Sequence, residues 1–185
     1  MKGENEKMRM SRKVDDIYIT EGEIAYSNFS GRPTQFKPEG GVRTVTFVIP
    51  HDIANQLIAD GWKIREQQID DEGHVRYLLE AKFTFRTRNG QPRDPKIFIV
   101  RNDRLVHMTE ETIDTLDRAD ILSVDADLGA SHWEYGGRTG ITAYINSMYV
   151  TIKDNPVDEK YRKMLDQMND SFLPTDDGDL PFPIE

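Results

Sequence analysis

The chain has 185 residues, a formal net charge of −9, 37% hydrophobic residues and no cysteine. That length suits one domain with tails, and the lack of cysteine excludes a disulfide framework and thiolate metal sites. No window approaches about eighteen continuous apolar residues, so no membrane span is expected.

Residues 1–14 read as a flexible arm in which Lys2, Lys7, Arg9, Arg12 and Lys13 stand against Glu4 and Glu6. The arm lacks the apolar core of a secretory signal, which makes the cytoplasm the default location. Ile17 to Tyr26 reads as a first strand, bulged at Gly22, and Ser27 to Gly41 as a long loop broken by glycine and proline. Arg43 to Ile49 is a cleaner strand with Val45, Phe47 and Ile49 on one face. Pro50 ends it. Asp52 is expected to cap a short helix through Ile53, Leu57 and Ile58, which Gly61 stops. Trp62 and Ile64 lead into a short extended segment before the turn at Asp70 to Gly73.

Val75 to Arg86 carries the strongest alternation. Val75, Tyr77, Leu79, Ala81, Phe83 and Phe85 share one face, with Arg76, Lys82 and Arg86 on the other. Asn89-Gly90 marks a turn, Lys96 to Val100 the next strand, and Leu105 to Met108 another after a tight turn near Asn102-Asp103. Thr109 to Ala119 is expected to form a short helix capped by Thr109 and anchored by Ile113 and Leu116. Asp120 to Leu128 returns to strand, Gly136-Gly137 is a turn, and Gly140 to Ile152 is a long final strand. A short helix or linker over 154–169 and an acidic tail over 170–185 complete the division, leaving 15–153 as the folded domain. Many strands with few helices favour a small barrel or sandwich, all-β with short helices, over a parallel α/β sheet.

Catalytic motifs are missing: there is no P-loop, dinucleotide fingerprint, HExxH, nucleophile elbow or EF-hand loop. His51, His74, His107 and His132 have no recurring ligand spacing, so neither a metal nor another cofactor is expected. Asp120, Asp125 and Asp127 offer the alternative of a Mg²⁺-dependent nuclease or resolvase, though no general base accompanies them. A virion or adaptor β-domain is a third possibility. An enzyme is not expected.

Positive charge is concentrated. Arg76, Lys82, Arg86, Arg88, Arg93, Lys96, Arg101 and Arg104 face only Glu80, Asp94 and Asp103 between them, a net +5 in twenty-nine residues. Arg43, on the strand before Pro50, and Arg138, beside the Gly136-Gly137 turn, are added to these candidates. Candidate rings for stacking are Trp62, Tyr77, Trp133, Tyr135 and Tyr144, whereas Phe47, Phe83 and Phe85 belong to core faces. Single-stranded nucleic acid needs cations along its backbone and aromatic faces for its bases, and both are supplied.

The last sixteen residues, DSFLPTDDGDLPFPIE, contain five acids and no Lys or Arg. Removing that −5 from −9 leaves −4 for residues 1–169, so the low overall charge hides a less acidic domain. Phe172, Leu173, Leu180, Phe182 and Ile184 are spaced among the acids, as in a tail captured by a partner.

The segment Trp133-Glu-Tyr-Gly-Gly-Arg-Thr-Gly-Ile-Thr-Ala-Tyr-Ile-Asn-Ser-Met-Tyr-Val, taken with this tail, resembles phage-encoded single-stranded DNA-binding proteins across residues 15–185. The resemblance implies an oligonucleotide-binding (OB) fold, a five-stranded Greek-key barrel, here with extra strands and loops. It implies single-stranded DNA as partner in the cytoplasm of a host bacterium, and no cofactor. It also implies a C-terminal arm that recruits replication or recombination proteins and competes with DNA for the basic cleft. The arm positions would be Asp176, Asp177, Asp179, Leu180 and Phe182, with Pro181 between the last two. The match is incomplete, because the bacterial tail ends on Pro-Phe and here Pro183, Ile184 and Glu185 follow. A homodimer is compatible with this reading.

Overall fold

The computed structural model describes residues 16–153 and, beyond them, Met164, Gln167 and Met168. The chain divides into two units, Met1–Lys153 and Asp154–Glu185. The three described residues of the second unit are helical. The arm before residue 16, most of the expected 154–169 segment, and the whole tail lie outside the described residues.

In the first unit, β1 (Ile17–Gly22) and β2 (Ile24–Asn28) are consecutive pieces of one bent segment. The bend falls where alternation predicts a bulge. Glu21 has a positive φ of 48°, and a Cβ on Gly22 would run into the Ile19 side chain, itself buried in the core. Only glycine leaves Ile19 room. Before the bend the segment pairs with β8 (Ile121–Tyr135), ending at Gly22↔Val124. After it, the Glu23 carbonyl accepts the Val48 N–H of β3 (Arg43–Ile49) at 3.0 Å, and the pairing with β3 continues to Asn28↔Thr44.

β3 pairs along its whole length with β5 (Val75–Phe83), from Arg43↔Phe83 to Ile49↔Tyr77. β4 (Ile64–Gln68) takes the other edge of β5. β8 and β9 (Arg138–Ile152) form a long hairpin. Its turn, Gly136-Gly137, has φ of 58° and 74°, the left-handed pair that a two-residue hairpin requires. The second edge of β9 runs parallel first to β5, at Ala81↔Ala143 and Lys82↔Tyr144, and then to β6 (Lys96–Arg101), from Lys96↔Ser147 to Val100↔Thr151. Among the described residues β7 (Arg104–His107) pairs only with β6. The path β1-β8-β9-β5-β3-β2 therefore starts and finishes on one segment. The result is a mostly β domain with short helices, whose curled, open sheet resembles a variant of the oligonucleotide-binding fold.

The hollow of the curl is filled by alternate residues of these strands, among them Ile17, Val45, Phe47, Leu79, Ala81, Phe83, Leu128, Ile145 and Met148, each at most 4% exposed. Helix α1 (His51–Ala59) covers part of it with Ala54 and Leu57.

Several expectations are corrected. Helix α1 begins on His51 with Pro50 at the cap position and no side-chain cap bond; Asp52 sits in the first turn, where its charge suits the helix dipole. The expected helix over Thr109–Ala119 is only a 3₁₀ helix, Ile113–Arg118. Thr109 does not cap it: the cap position is Thr112, and no side-chain cap bond is made. The strand expected to stop at Leu128 continues to Tyr135, because pairing with β9 carries it past the polar run Gly129–His132. Val75, assigned to the core face, is 43% exposed near the end of its strand, whereas Leu78 on the opposite face is 1% exposed.

Candidate nucleic-acid interface

The outer face of β5 carries Arg76, Leu78, Glu80 and Lys82, opposite the core row Tyr77, Leu79, Ala81, Phe83. Register aligns Lys82 with Thr44 on β3 and with Tyr144 on β9, and Leu78 with Val48 and Arg65. A groove of about 190 Å³ opens here, lined by Thr46, Lys63, Arg65, Leu78, Leu79, Glu80, Lys82, Ile141 and Thr142. Three cations surround the buried Leu78 against the one carboxylate of Glu80. Lys63, Arg65 and Lys82 make no ion pair with any described residue, so their field is directed at whatever enters the groove.

Beside the groove, Arg76 is held rather than loose. Its Nε donates to Gln67 Oε1 at 2.8 Å, its Nη2 donates to the Tyr26 hydroxyl at 3.2 Å, and its guanidinium lies 5.6 Å from the Tyr26 ring centre. Gln67 Nε2 also donates to that hydroxyl, at 2.7 Å. The Gln67 and then the Arg76 hydrogen bonds hold the Tyr26 phenol below the ordinary tyrosine range, because they favour the phenolate. The ring remains 45% exposed. Nothing in the local sequence marked Tyr26, since its partners lie 41 and 50 positions away.

The β8–β9 hairpin supplies the other rings. Trp133 is 42% and Tyr135 83% exposed, and Tyr135 pairs with Arg138 next to the turn. A Cβ on Gly140 would stand 2.5 Å from the Trp133 ring. The missing side chain of Gly140 is therefore the seat on which the indole lies. Trp133 and Gly140 line a second groove of about 330 Å³ together with Asp60, Gly61 and His132. Both grooves share Ile141.

The remaining expected residues are distributed unevenly. Trp62 and Tyr77 are 7% and 8% exposed, with Tyr77 packed 5.2 Å from His51 and Trp62 bridged to Ile141. Buried on the core side, neither offers a face to a base, which corrects their selection as stacking rings. Arg43 donates from Nε to the Phe29 carbonyl at 3.1 Å, lies 5.3 Å from the Phe85 ring centre, and stands 3.7 Å from Glu110. Arg86 pairs with the same carboxylate at 3.4 Å. These two brace the fold. Arg88 and Arg93 are exposed on the excursion between β5 and β6, Lys96 on the outer face of β6, while Arg101 and Arg104 pair across the end of the β6–β7 ribbon. Of the eight clustered cations, Arg76, Lys82 and Lys96 thus reach the outer face, and Lys63 and Arg65 join them from outside the cluster. The signal for that pair was local: Lys63-Ile64-Arg65 alternates, and Ile64 packs on the core.

Residues 7–181 match the family of the phage ssDNA-binding domain. The chain belongs to that family. A search of curated protein sequences returns no match. Three solved structures of the single-stranded DNA-binding protein from bacteriophage Enc34 are similar to this phage ssDNA-binding domain. One is 13% identical, with a TM-score of 0.47 over 82% of this chain and 93% of that one. The same protein in complex with ssDNA is 14% identical, with a TM-score of 0.48 over 82% and 98%. Its C-terminal truncation is 15% identical, with a TM-score of 0.48 over 83% and 99%.

Two of the candidate acids are engaged within the fold. Asp125 accepts the Glu21 N–H at 2.7 Å and Asp127 the Asn146 amide at 3.3 Å. With Asp120 they do not form a three-ligand set. Among the described residues the group that does is Asp70, Glu72 and His74, all exposed. There Asp70 accepts the N–H groups of Glu72 and His74, each at 3.0 Å, and so closes the β4–β5 turn. Among the described residues no helix is long and apolar enough to cross a membrane.

Proposed function

We propose that this domain binds and protects single-stranded DNA, without reading its sequence, during phage replication or recombination in the host cytoplasm. The observation that carries this reading is the groove in which Lys63, Arg65 and Lys82 surround Leu78, with Tyr144 in register beside Lys82. Phosphates need cations at short intervals, and bases need flat apolar faces nearby. Arg76 and Lys96 extend the cationic row, while Trp133, Tyr135 and Arg138 extend it onto the hairpin. The other arginines add to the positive field rather than to contacts. Cations that meet phosphate position a strand without specifying it. Membership of the phage ssDNA-binding domain family supports the ligand class.

The framework suits a five-stranded Greek-key barrel of the oligonucleotide-binding kind. Its five strands would be β1 with β2, then β3, β5, β9 and β8, with β4, β6 and β7 as additions. The parallel contact of β5 with β9 and the one segment shared by β8 and β3 support that assignment. Binding rather than catalysis is the function assigned to it.

The acidic terminus completes the mechanism. Asp176, Asp177 and Asp179 compete with phosphate for the groove, and Leu180 and Phe182 engage a replication or recombination protein once DNA displaces the tail. Its composition, five acids without a base in sixteen residues, supports this.

Fluorescence titration with dT oligomers tests both halves. The full chain is expected to bind, more weakly as salt rises because counterions are released from phosphate. A chain stopped after Asn169 is expected to bind more tightly. Equal affinity overturns the competing tail, and no binding by either chain overturns the function.

A further inference from the structure

The outer face of β9 does not end at Tyr144. Beyond the irregularity at Asn146 it continues through Ser147, Tyr149 and Thr151, paired with Lys96, Phe98 and Val100 of β6. The core side of these strands is Ile97, Met148 and Val150, all buried. Lys96 therefore stands one row beyond the Lys82–Tyr144 row, and Tyr149 with Phe98 one row farther.

Phe98 lies between two rings. Tyr149 is 5.3 Å away on one side with the planes 12° apart, and His107 is 5.0 Å away on the other at 31°. The three rings, one each from β9, β6 and β7, form a row across the sheet, Tyr149 stacked on Phe98 and His107 tilted against it. The last of them sits on an edge strand whose four residues are all exposed. His107 does not swing freely there, because its Nε2 lies 3.0 Å from Asp94 Oδ1. Leu105, 58% exposed, shares its side of the strand. Phe98 is covered on both faces, so at the edge of the sheet the open face of the row is the outer face of His107.

We infer that the DNA path continues from the groove along β9, over Lys96, and that a nucleobase stacks on the outer face of His107. This subsite rests on the single-stranded DNA-binding reading and adds to it a second stacking position on the β6–β7 ribbon. Tyr144 and Tyr149 are five positions apart, about 16 Å at the usual rise of a strand, so this subsite is reached only by a strand that outruns the groove. It takes any base, since every base has a π-face. Asp94 is the positioning residue: by accepting from Nε2 it orders the ring before DNA arrives and reduces the entropy lost on binding.

A length series of dT oligomers, from about 4 to about 16 nucleotides, separates this subsite from the groove. Wild-type affinity is expected to rise with length and to gain a further step when the strand reaches β7. His107→Ala is expected to remove that step, lowering affinity for the longest oligomers about 5- to 100-fold and leaving the shortest unchanged. His107→Phe is expected to restore it, which excludes a role through charge. Lys96→Gln is expected to flatten the salt dependence of the long oligomers by about 0.7 in the logarithmic slope. If wild type binds while His107→Ala matches it at every length, or loses equally at every length, the subsite is overturned and the function stands. If wild type binds no oligomer, the function itself falls.

Discussion

Two sets of cations, similar in the sequence, have opposite employment in the fold. Arg43 and Arg86 converge on Glu110, with Arg43 also on the Phe29 carbonyl and the Phe85 ring. Lys63, Arg65 and Lys82 converge on a groove with a buried leucine at its base. Arg43 has exchanged most of its water for protein partners, and Arg86 adds an exposed pair to the same carboxylate. The second set keeps its capacity for a ligand. Local density of positive charge does not separate the two; an ion pair with a carboxylate, made by the first set to Glu110 and by none of the second among the described residues, does.

The largest expected effect breaks the comparison from the groove side. Reversing Lys63, Arg65 and Lys82 together to Glu is expected to lower affinity for a dT oligomer by more than about 100-fold at low salt. The thermal midpoint should stay within a few degrees, and a protein that unfolds instead would place these residues with the bracing set.

Arg43→Gln is the converse. It removes a charged hydrogen bond and a cation over a ring, and is expected to lower stability by about 2 kcal/mol in urea unfolding, with oligomer affinity little changed. Arg86→Gln, at an exposed ion pair, is expected to lower it by no more than about 0.5 kcal/mol.

The hairpin sharpens the contrast. Trp133→Ala is expected to weaken binding by about 1 to 2 kcal/mol if a base stacks on it. Gly140→Ala is expected to mimic part of that loss by unseating the indole, visible as a shift in tryptophan emission before any DNA is added.

A smaller effect concerns a carboxylate on the bracing side. Burial pushes Asp117 up, but hydrogen bonds from Ser30 and Phe29, and the charge of Arg32, outweigh it and hold its carboxyl below the usual range. The two backbone N–H groups donate to it at 2.8 and 3.0 Å. Because the folded value is the lower one, the stabilisation is complete above the unfolded pKa and is lost as pH falls through the folded one. Asp117→Asn is expected to flatten this part of the acid limb in a stability–pH series. The smallest is spectroscopic: Arg76→Gln is expected to return the Tyr26 phenol toward its ordinary titration range, followed by ultraviolet absorbance.

Much of this architecture could be read from alternation. Arg43–Ile49 appears with the expected bounds, and the β5 pattern separates Arg76 and Lys82 from the core row as the period requires. What alternation does not encode is which rows of different strands meet. Lys63 and Arg65, two cations around one isoleucine, are unremarkable in sequence until β4 lies against β5. Composition near a basic run does not say which way a ring points, and Trp62 and Tyr77 point into the core. Tyr26 needed Gln67 and Arg76 to become a fixed surface. The polar stretch after Leu128 hid half of a strand whose pairing comes from β9.

The bent segment that opens the domain has a consequence for how the chain is made. Its Glu21 N–H waits for Asp125, 104 positions later, and β8 in turn needs β9 along its other edge. At roughly 5 to 20 residues per second, a ribosome takes about 5 to 20 seconds to deliver that acceptor after the donor has been polymerised. Throughout that interval only the part after the bend has a partner, in β3, while Ile17 and Ile19 wait for β8 and stay wet. Chaperone capture of nascent chains should therefore end abruptly once the last hairpin clears the exit tunnel.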